Sequence, residues 1–278
     1  MSPFAETADA WIMRALLGAL AAAAVAALAR RAGALTTSGQ WVAFVTGTAA
    51  TAAGWGWAAL LVGYFVLSSA LTRWGAERKR ARTLPTLSGG SARRGVQVAA
   101  NGGLFAVLVL AGELRGDGAL LVAGMGALAA AAADTWATEV GLLFGGTPRS
   151  VRNGAPVAPG ESGGVTLAGF AASAAAALLF AALTGLLQAD PGLPSGRADL
   201  AVLLAAMSGS VADSILGATL QSKRWCDQCR TWTERRVHNC SYRTHHARGI
   251  RWMTNDTVNF LATVVGALVA LLAFGALG

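Results

Sequence analysis

The sequence predicts an all-α polytopic membrane protein of about eight transmembrane helices, six at the least, and three observations predict it. Hydrophobic residues make up 54% of the 278 and charged residues only 13%, a balance too apolar and too charge-poor for a soluble domain. Apolar runs recur along the chain with short connections, and a bilayer core needs roughly 20 such residues per helix. The basic residues fall almost entirely in alternate connections, as they do in polytopic proteins. A single integral membrane domain over residues 1–278 follows, with the basic segment 222–254 as a loop within it.

The runs lie at about 11–30, 40–54, 56–73, 95–112, 118–143, 164–188, 198–221 and 255–277. The first lacks a basic leader and is followed at once by Arg30 and Arg31. Positive charge behind the run marks a retained span with its N-terminus outside, not a cleaved signal. The second and third are short and separated only by Gly54, Trp55 and Gly56, so they read either as two crossings or as a re-entrant hairpin. Either way the chain returns to the same side. The fourth and fifth runs, and the sixth and seventh, then form two hairpins. Ala133-Asp134-Thr135 and Ala212-Asp213-Ser214 occupy matching places in them, which suggests a parallel repeat about an axis along the membrane normal.

Sides follow from Lys and Arg. Arg30 and Arg31, the seven basic residues between Arg73 and Arg94, Arg149 and Arg152, and the eight between Lys223 and Arg251 place 19 of 22 on one face. That face is cytoplasmic by the positive-inside rule, with the cytoplasmic membrane of a bacterium as the expected location. The net charge of +8 is thus a topology signal, and no base-reading element is recognisable. Membrane lipids are expected partners and nucleic acid is not.

Charged groups inside spans cost roughly 2.5 to 3.5 kcal/mol at mid-helix, so each calls for a partner or a purpose. Here they are Asp134 and Glu139 in the fifth run, Asp213 in the seventh and Asp256 opening the eighth. All four fall toward the cytoplasmic ends, and Gln97, Asn101, Asn255 and Asn259 come to the same level. Helical spacing pairs Asp134 with Thr138 and Thr135 with Glu139, while Ser210, Asp213, Ser214 and Gly217 make a polar stripe. Oxygen ligands of this kind suit magnesium, which binds through one or two carboxylates plus substrate phosphates; Asp134, Asp213 and Asp256 are the candidates. The plain alternative is that these acids pair with interfacial arginines and only anchor helix ends.

Two further elements complement the acids. Between the fifth and sixth runs the chain reads Gly145-Gly146-Thr147-Pro148-Arg149, then Pro159-Gly160-Glu161-Ser162-Gly163-Gly164-Val165-Thr166 as the next helix begins. A glycine-rich approach to a helix N-terminus offers N–H groups and a positive dipole end to phosphate; Ser88-Gly89-Gly90-Ser91 ahead of Arg93 and Arg94 offers the same at the fourth run. The three cysteines all fall in the last basic loop as Cys226-x-x-Cys229 and, with a histidine, His238-x-Cys240. Three thiols and an imidazole can close a tetrahedral structural zinc site, with His245 and His246 as spare ligands.

Ala-Asp-Thr-x-x-x-Glu at 133–139, Pro-Gly-x-x-Gly-Gly-Val-Thr at 159–166, Asp213-Ser214 with Gly217-Ala218-Thr219, and Asn255-Asp256-x-Val258-Asn259 occur in order. With Leu35-Thr36, Ser38-Gly39, Ser68-Ser69 and Gln97 with Asn101-Gly102-Gly103, the set resembles the membrane family that includes the phytyl-phosphate kinase of tocopherol synthesis. The resemblance implies transfer of a phosphoryl group from a nucleoside triphosphate to an isoprenoid monophosphate, giving the diphosphate. Asp134, Glu139, Asp213, Asp256 and Arg149 would then be catalytic. Asn101, Gly160, Ser162, Gly163, Gly164, Thr166, Ser214, Asn255 and Asn259 would hold phosphates. The rival reading is a secondary transporter whose acids bind a coupling cation; acids at the midplane would favour it, whereas acids at one end favour surface chemistry on an amphiphile.

Overall fold

The computed structural model describes residues 8–83, 92–187 and 195–277, and Ser88-Gly89-Gly90-Ser91 lies outside them. Its apolar runs form rods. The first three are α1 (Ala8–Arg31), α2 (Thr37–Ala53) and α3 (Trp55–Arg73), and the basic loop that follows them begins with a short helix, α4 (Ala76–Arg82). Next, α5 (Gly95–Val98) continues through a π-helical turn (Ala99–Gly103) into α6 (Leu104–Arg115). The remaining rods are α7 (Gly118–Phe144), α8 (Leu167–Leu187), α9 (Ser195–Thr219) and α10 (Asn255–Ala276). Six rods are long and apolar enough to cross a membrane, from Trp11–Arg31 to Asn255–Ala276. The other two of the eight are α8 and the 17-residue α2. α2 and α3 are joined through Gly54 alone.

The rods pack around α7. Every residue from Val122 to Ala133 on it is buried, as a helix that is apolar all round must be, and α6, α8, α9 and α10 pack against it. Alanine and glycine dominate these contacts because bilayer helices associate through close backbone approach. A Cβ at Gly126 would come within 2.5 Å of the Ala270 methyl and 2.8 Å of the Gly266 carbonyl oxygen. Many large apolar side chains point outward, with Leu20 and Leu272 each 70% exposed, which is the lipid-facing pattern, while Phe105, Phe180 and Leu128 fill the interior.

The rods are helical throughout, and the loops between them add short strands. In the glycine-rich loop, β1 (Arg149–Ser150) pairs with β2 (Gly164–Val165) and ties off the segment. The basic loop after α9 carries β3 (Lys223–Cys226), β4 (Thr231–Thr233) and β5 (His245–Arg248), which form a three-stranded antiparallel sheet in the order β4-β3-β5.

Candidate functional site

The basic ends of six rods converge on one cavity of about 800 Å³, α3 adding Thr72. α7 contributes Asp134, Thr135, Thr138 and Glu139, α9 contributes Ser210, Asp213 and Ser214, and α10 contributes Asn255 and Asn259. α5 and the π turn add Gln97 and Asn101, and the start of α8 adds Leu167, Phe170 and Ser173. Pro148, Arg149 and the stretch from Gly160 to Thr166 form the outer wall. Thirteen of the fourteen residues expected in a catalytic or phosphate-binding role therefore line this one space; Asp256 is the fourteenth.

Asp134 and Asp213 are the centre of it. They sit roughly 15 and 9 Å from the C-termini of their helices at 1.5 Å per residue, within electrostatic reach of each other. Asn259 bridges α10 to α9, its amide nitrogen donating to Asp213 Oδ2 at 3.0 Å and to the Asn255 carbonyl at 3.2 Å. Among the described residues neither aspartate has an ion-pair partner, whereas Glu139 and Glu161, the other two acids of the lining, do.

Glu139 takes 2.5 Å from the buried Lys79 ammonium and 2.6 Å from the Thr72 hydroxyl. Lys79 also donates to the Leu71 and Thr72 carbonyls, at 2.6 and 3.1 Å, and so ties α4 to the ends of α3 and α7. Glu139 lines the cavity but its charge is already met. Asp256 is bound at 2.8 Å by Arg94 and does not line the cavity. Its neighbour Asn255 does, and one residue along a helix turns the side chain by roughly 100°. The expected trio of metal-binding aspartates thus reduces to a pair.

The glycine-rich loop also differs in detail from expectation. Its Glu161 and Gly164 N–H groups are used in its own turns, by the Ala158 and Glu161 carbonyls, both at 3.0 Å. The Thr166 hydroxyl accepts from Gly169 N at 3.0 Å and so caps α8. Gly163 has φ +81, and a Cβ there would lie 2.4 Å from the Ala218 methyl, so only glycine lets the loop lie against α9. Arg149 lines the cavity from β1 while its guanidinium donates to the Gly154 carbonyl at 3.0 Å.

Several residues outside the catalytic and phosphate-binding set expected from the sequence also shape the site. Arg93 lines the cavity beside Gln97. The Leu35-Thr36 segment pins its backbone, with Thr36 N donating to the Arg93 carbonyl at 3.0 Å and Arg93 N to the Ala34 carbonyl at 2.9 Å, and its side chain lies over the rings of Tyr64 and Phe65. Lys79 and Lys223 are the only lysines among 22 basic residues, and both pair with acids of the cavity wall, the second with Glu161 at 2.6 Å. That rarity of lysine was the available signal.

Outside the cavity, Cys226, Cys229, His238 and Cys240 come together with one ligand atom from each within 4.8 Å of the others. His245 and His246 lie on β5 and outside that group. Among the described residues it is the one group of three or more His, Cys, Asp or Glu side chains close enough to share an ion. Hydrogen bonding to His238 draws the Cys240 thiol down to about 6, and its bond with Cys240 pushes the Cys229 thiol up to about 11.

The sequence profile described as "Integral membrane protein DUF92" matches residues 20–267. Protein PGR of Arabidopsis thaliana is 32% identical over 260 residues, 86% of this chain and 88% of its own length. An uncharacterized membrane protein of Synechocystis is 30% identical over 272 residues, covering 95% and 89% of the two chains. An uncharacterized membrane protein of Methanocaldococcus jannaschii is 26% identical over 215 residues, covering 77% and 75%. No solved structure matches.

Proposed function

The chain belongs to the integral membrane protein family DUF92, and from that premise we propose that it is a membrane-embedded kinase of isoprenoid monophosphates. It would transfer the terminal phosphoryl group of a nucleoside triphosphate to the lipid phosphate. The resemblance to the phytyl-phosphate kinase family is consistent with this membership. The observation that carries the reading is a pair of cavity-facing aspartates that, among the described residues, have no ion-pair partner, in a cavity lined by both polar and apolar groups.

Uncompensated charge at such depth is costly, and the site fits a cation supplied with the substrate. Asp134 and Asp213 would hold magnesium, and the amides of Asn101, Asn255 and Asn259 would complete a polar surround. Magnesium held there would supply the positive charge that phosphoryl transfer needs against the phosphates. Arg93, Arg149 and Ser162 would orient the phosphates from the outer side. Leu142, Leu167, Phe170 and Val211 supply apolar wall for the start of a prenyl chain, and Leu167 is 86% exposed, as a wall open toward lipid would be.

In the reaction an oxygen of the lipid phosphate forms the new bond to the terminal phosphorus, and the nucleoside diphosphate leaves with the bridging oxygen. The acceptor is already anionic at neutral pH, so no general base is required. The basic face carrying the cavity is assigned to the cytoplasm, where nucleotides are, by the positive-inside rule. The test is purified protein in detergent with magnesium, terminally labelled ATP or CTP, and prenyl monophosphates of several lengths. Label in a lipid diphosphate is the expected result; label confined to nucleotide and inorganic phosphate would refute the proposal.

A further inference from the structure

We infer that Cys226, Cys229, His238 and Cys240 hold a structural zinc ion, and that this ion seats Glu234 against the glycine-rich wall of the cavity. Four observations carry this. The first is spacing. Cys226 Sγ lies 3.7 Å from Cys240 Sγ, and His238 Nδ1 lies 3.1 Å from the same sulfur. A disulfide requires about 2.05 Å, whereas two sulfurs on a tetrahedral zinc at about 2.3 Å each lie about 3.8 Å apart.

The second is the backbone. Among the described residues only Arg230 and Ser241 are non-glycine residues with positive φ, at 49° and 64°. Each directly follows the last ligand of its pair, Cys229 or Cys240. Two turns thus adopt the same unfavourable conformation at matching positions, which surrounding structure must hold in place.

The third is the lack of a core. Between residues 222 and 254 the only buried hydrophobic residues are Cys226 and Met253. A segment this short cannot offset its ordering entropy by apolar burial, and metal ligation is a common substitute.

The fourth links the ion to the cavity. β4 runs between the two ligand pairs and leads into Glu234. Its Oε1 accepts from the Ser162 hydroxyl at 2.8 Å and from the buried Gln221 amide at 2.6 Å, and Gln221 also donates to Ser162 at 2.9 Å. Clamping both ends of the segment fixes Glu234, and Glu234 fixes Ser162 in the cavity wall. Glu234 is a positioning residue in this scheme.

The test uses full-length protein in detergent. Elemental analysis should find about one zinc per chain, and a mercurial thiol reagent should release it in the presence of a zinc indicator, which needs no variant. Cys226→Ser with Cys229→Ser should lose the zinc and open the arginine-rich loop to trypsin, while Asp134→Asn should keep the zinc whatever it does to turnover. Less than about a tenth of a zinc per chain, another metal in its place, or an unchanged zinc content in the double variant would overturn the inference.

Discussion

Asp134 and Asp213 were legible because a carboxylate in an apolar run is costly enough to stand out, and Asn101, Asn255 and Asn259 because they fall at the same level. Asp256 stood out equally and was misplaced, since an acid in the first turn of a helix can face either the bundle or a neighbouring arginine. On the proposed function, replacing Asp134 or Asp213 by Asn would remove a cation ligand and should lower turnover by about 10²-fold or more, the scale of losing one group that stabilises developing charge. Asp256→Asn removes a pair outside the cavity, half-buried on the Asp256 side and exposed on the Arg94 side, and should lower the melting temperature while turnover stays within a few-fold, as read by parallel kinetics and melting. Lys79 lay hidden in a run of arginines. Since it is buried against Glu139, Lys79→Met should destabilise by about 3 to 5 kcal/mol through the carboxylate left behind. Adding Glu139→Gln should restore much of that, which thermal melting in detergent can follow.

Rods of 17 to 27 residues were legible from length and hydropathy alone, and the helix ends matched the runs within a few residues. Shorter elements were not. β3, β4 and β5 have three or four residues each, β3 and β5 with charged or histidine side chains and β4 reading Thr-Trp-Thr, too short for alternation of polarity to distinguish them from loop, and their order is set by the turns that join them. The π turn holding Asn101 was equally hidden, since spacing arguments assume a uniform 3.6-residue period; such turns often mark functional sites. The glycine-rich loop was recognisable, but not that the Glu161 and Gly164 N–H groups would be spent on its own turns. Two glycines with the same handedness separate strain from contact there. Gly146 has φ +67 and open space within 4 Å of the point where a side-chain methyl would stand, whereas a methyl at Gly163 would strike Ala218. Gly146→Ala should therefore cost about 1 to 2 kcal/mol of conformational strain and leave turnover near normal. Gly163→Ala should also move the loop off α9 and cut turnover about tenfold or more; equal kinetics for the two would show that loop position is immaterial.

At the scale of the whole molecule, the eight apolar rods and the gathering of polar groups at their basic ends bring thirteen of fourteen expected residues to one cavity. What sequence could not supply is which acids meet their charge within the protein, since that depends on rotations of helices about their axes. The placement of 19 of 22 basic residues on one face predicts the side on which nucleotide must be offered. The central claim, phosphoryl transfer to a lipid phosphate at that face, is tested most directly in sealed proteoliposomes with a prenyl monophosphate in the bilayer and no ion gradient. Labelled nucleotide and magnesium are added to one side, and orientation is scored by trypsin cleavage of the Lys223–Arg251 loop. Formation of labelled prenyl diphosphate in proportion to the fraction of molecules with that loop facing the nucleotide is the predicted result. Absence of labelled lipid, together with solute uptake once an ion gradient is imposed, would contradict the account and identify the acids as a transport site.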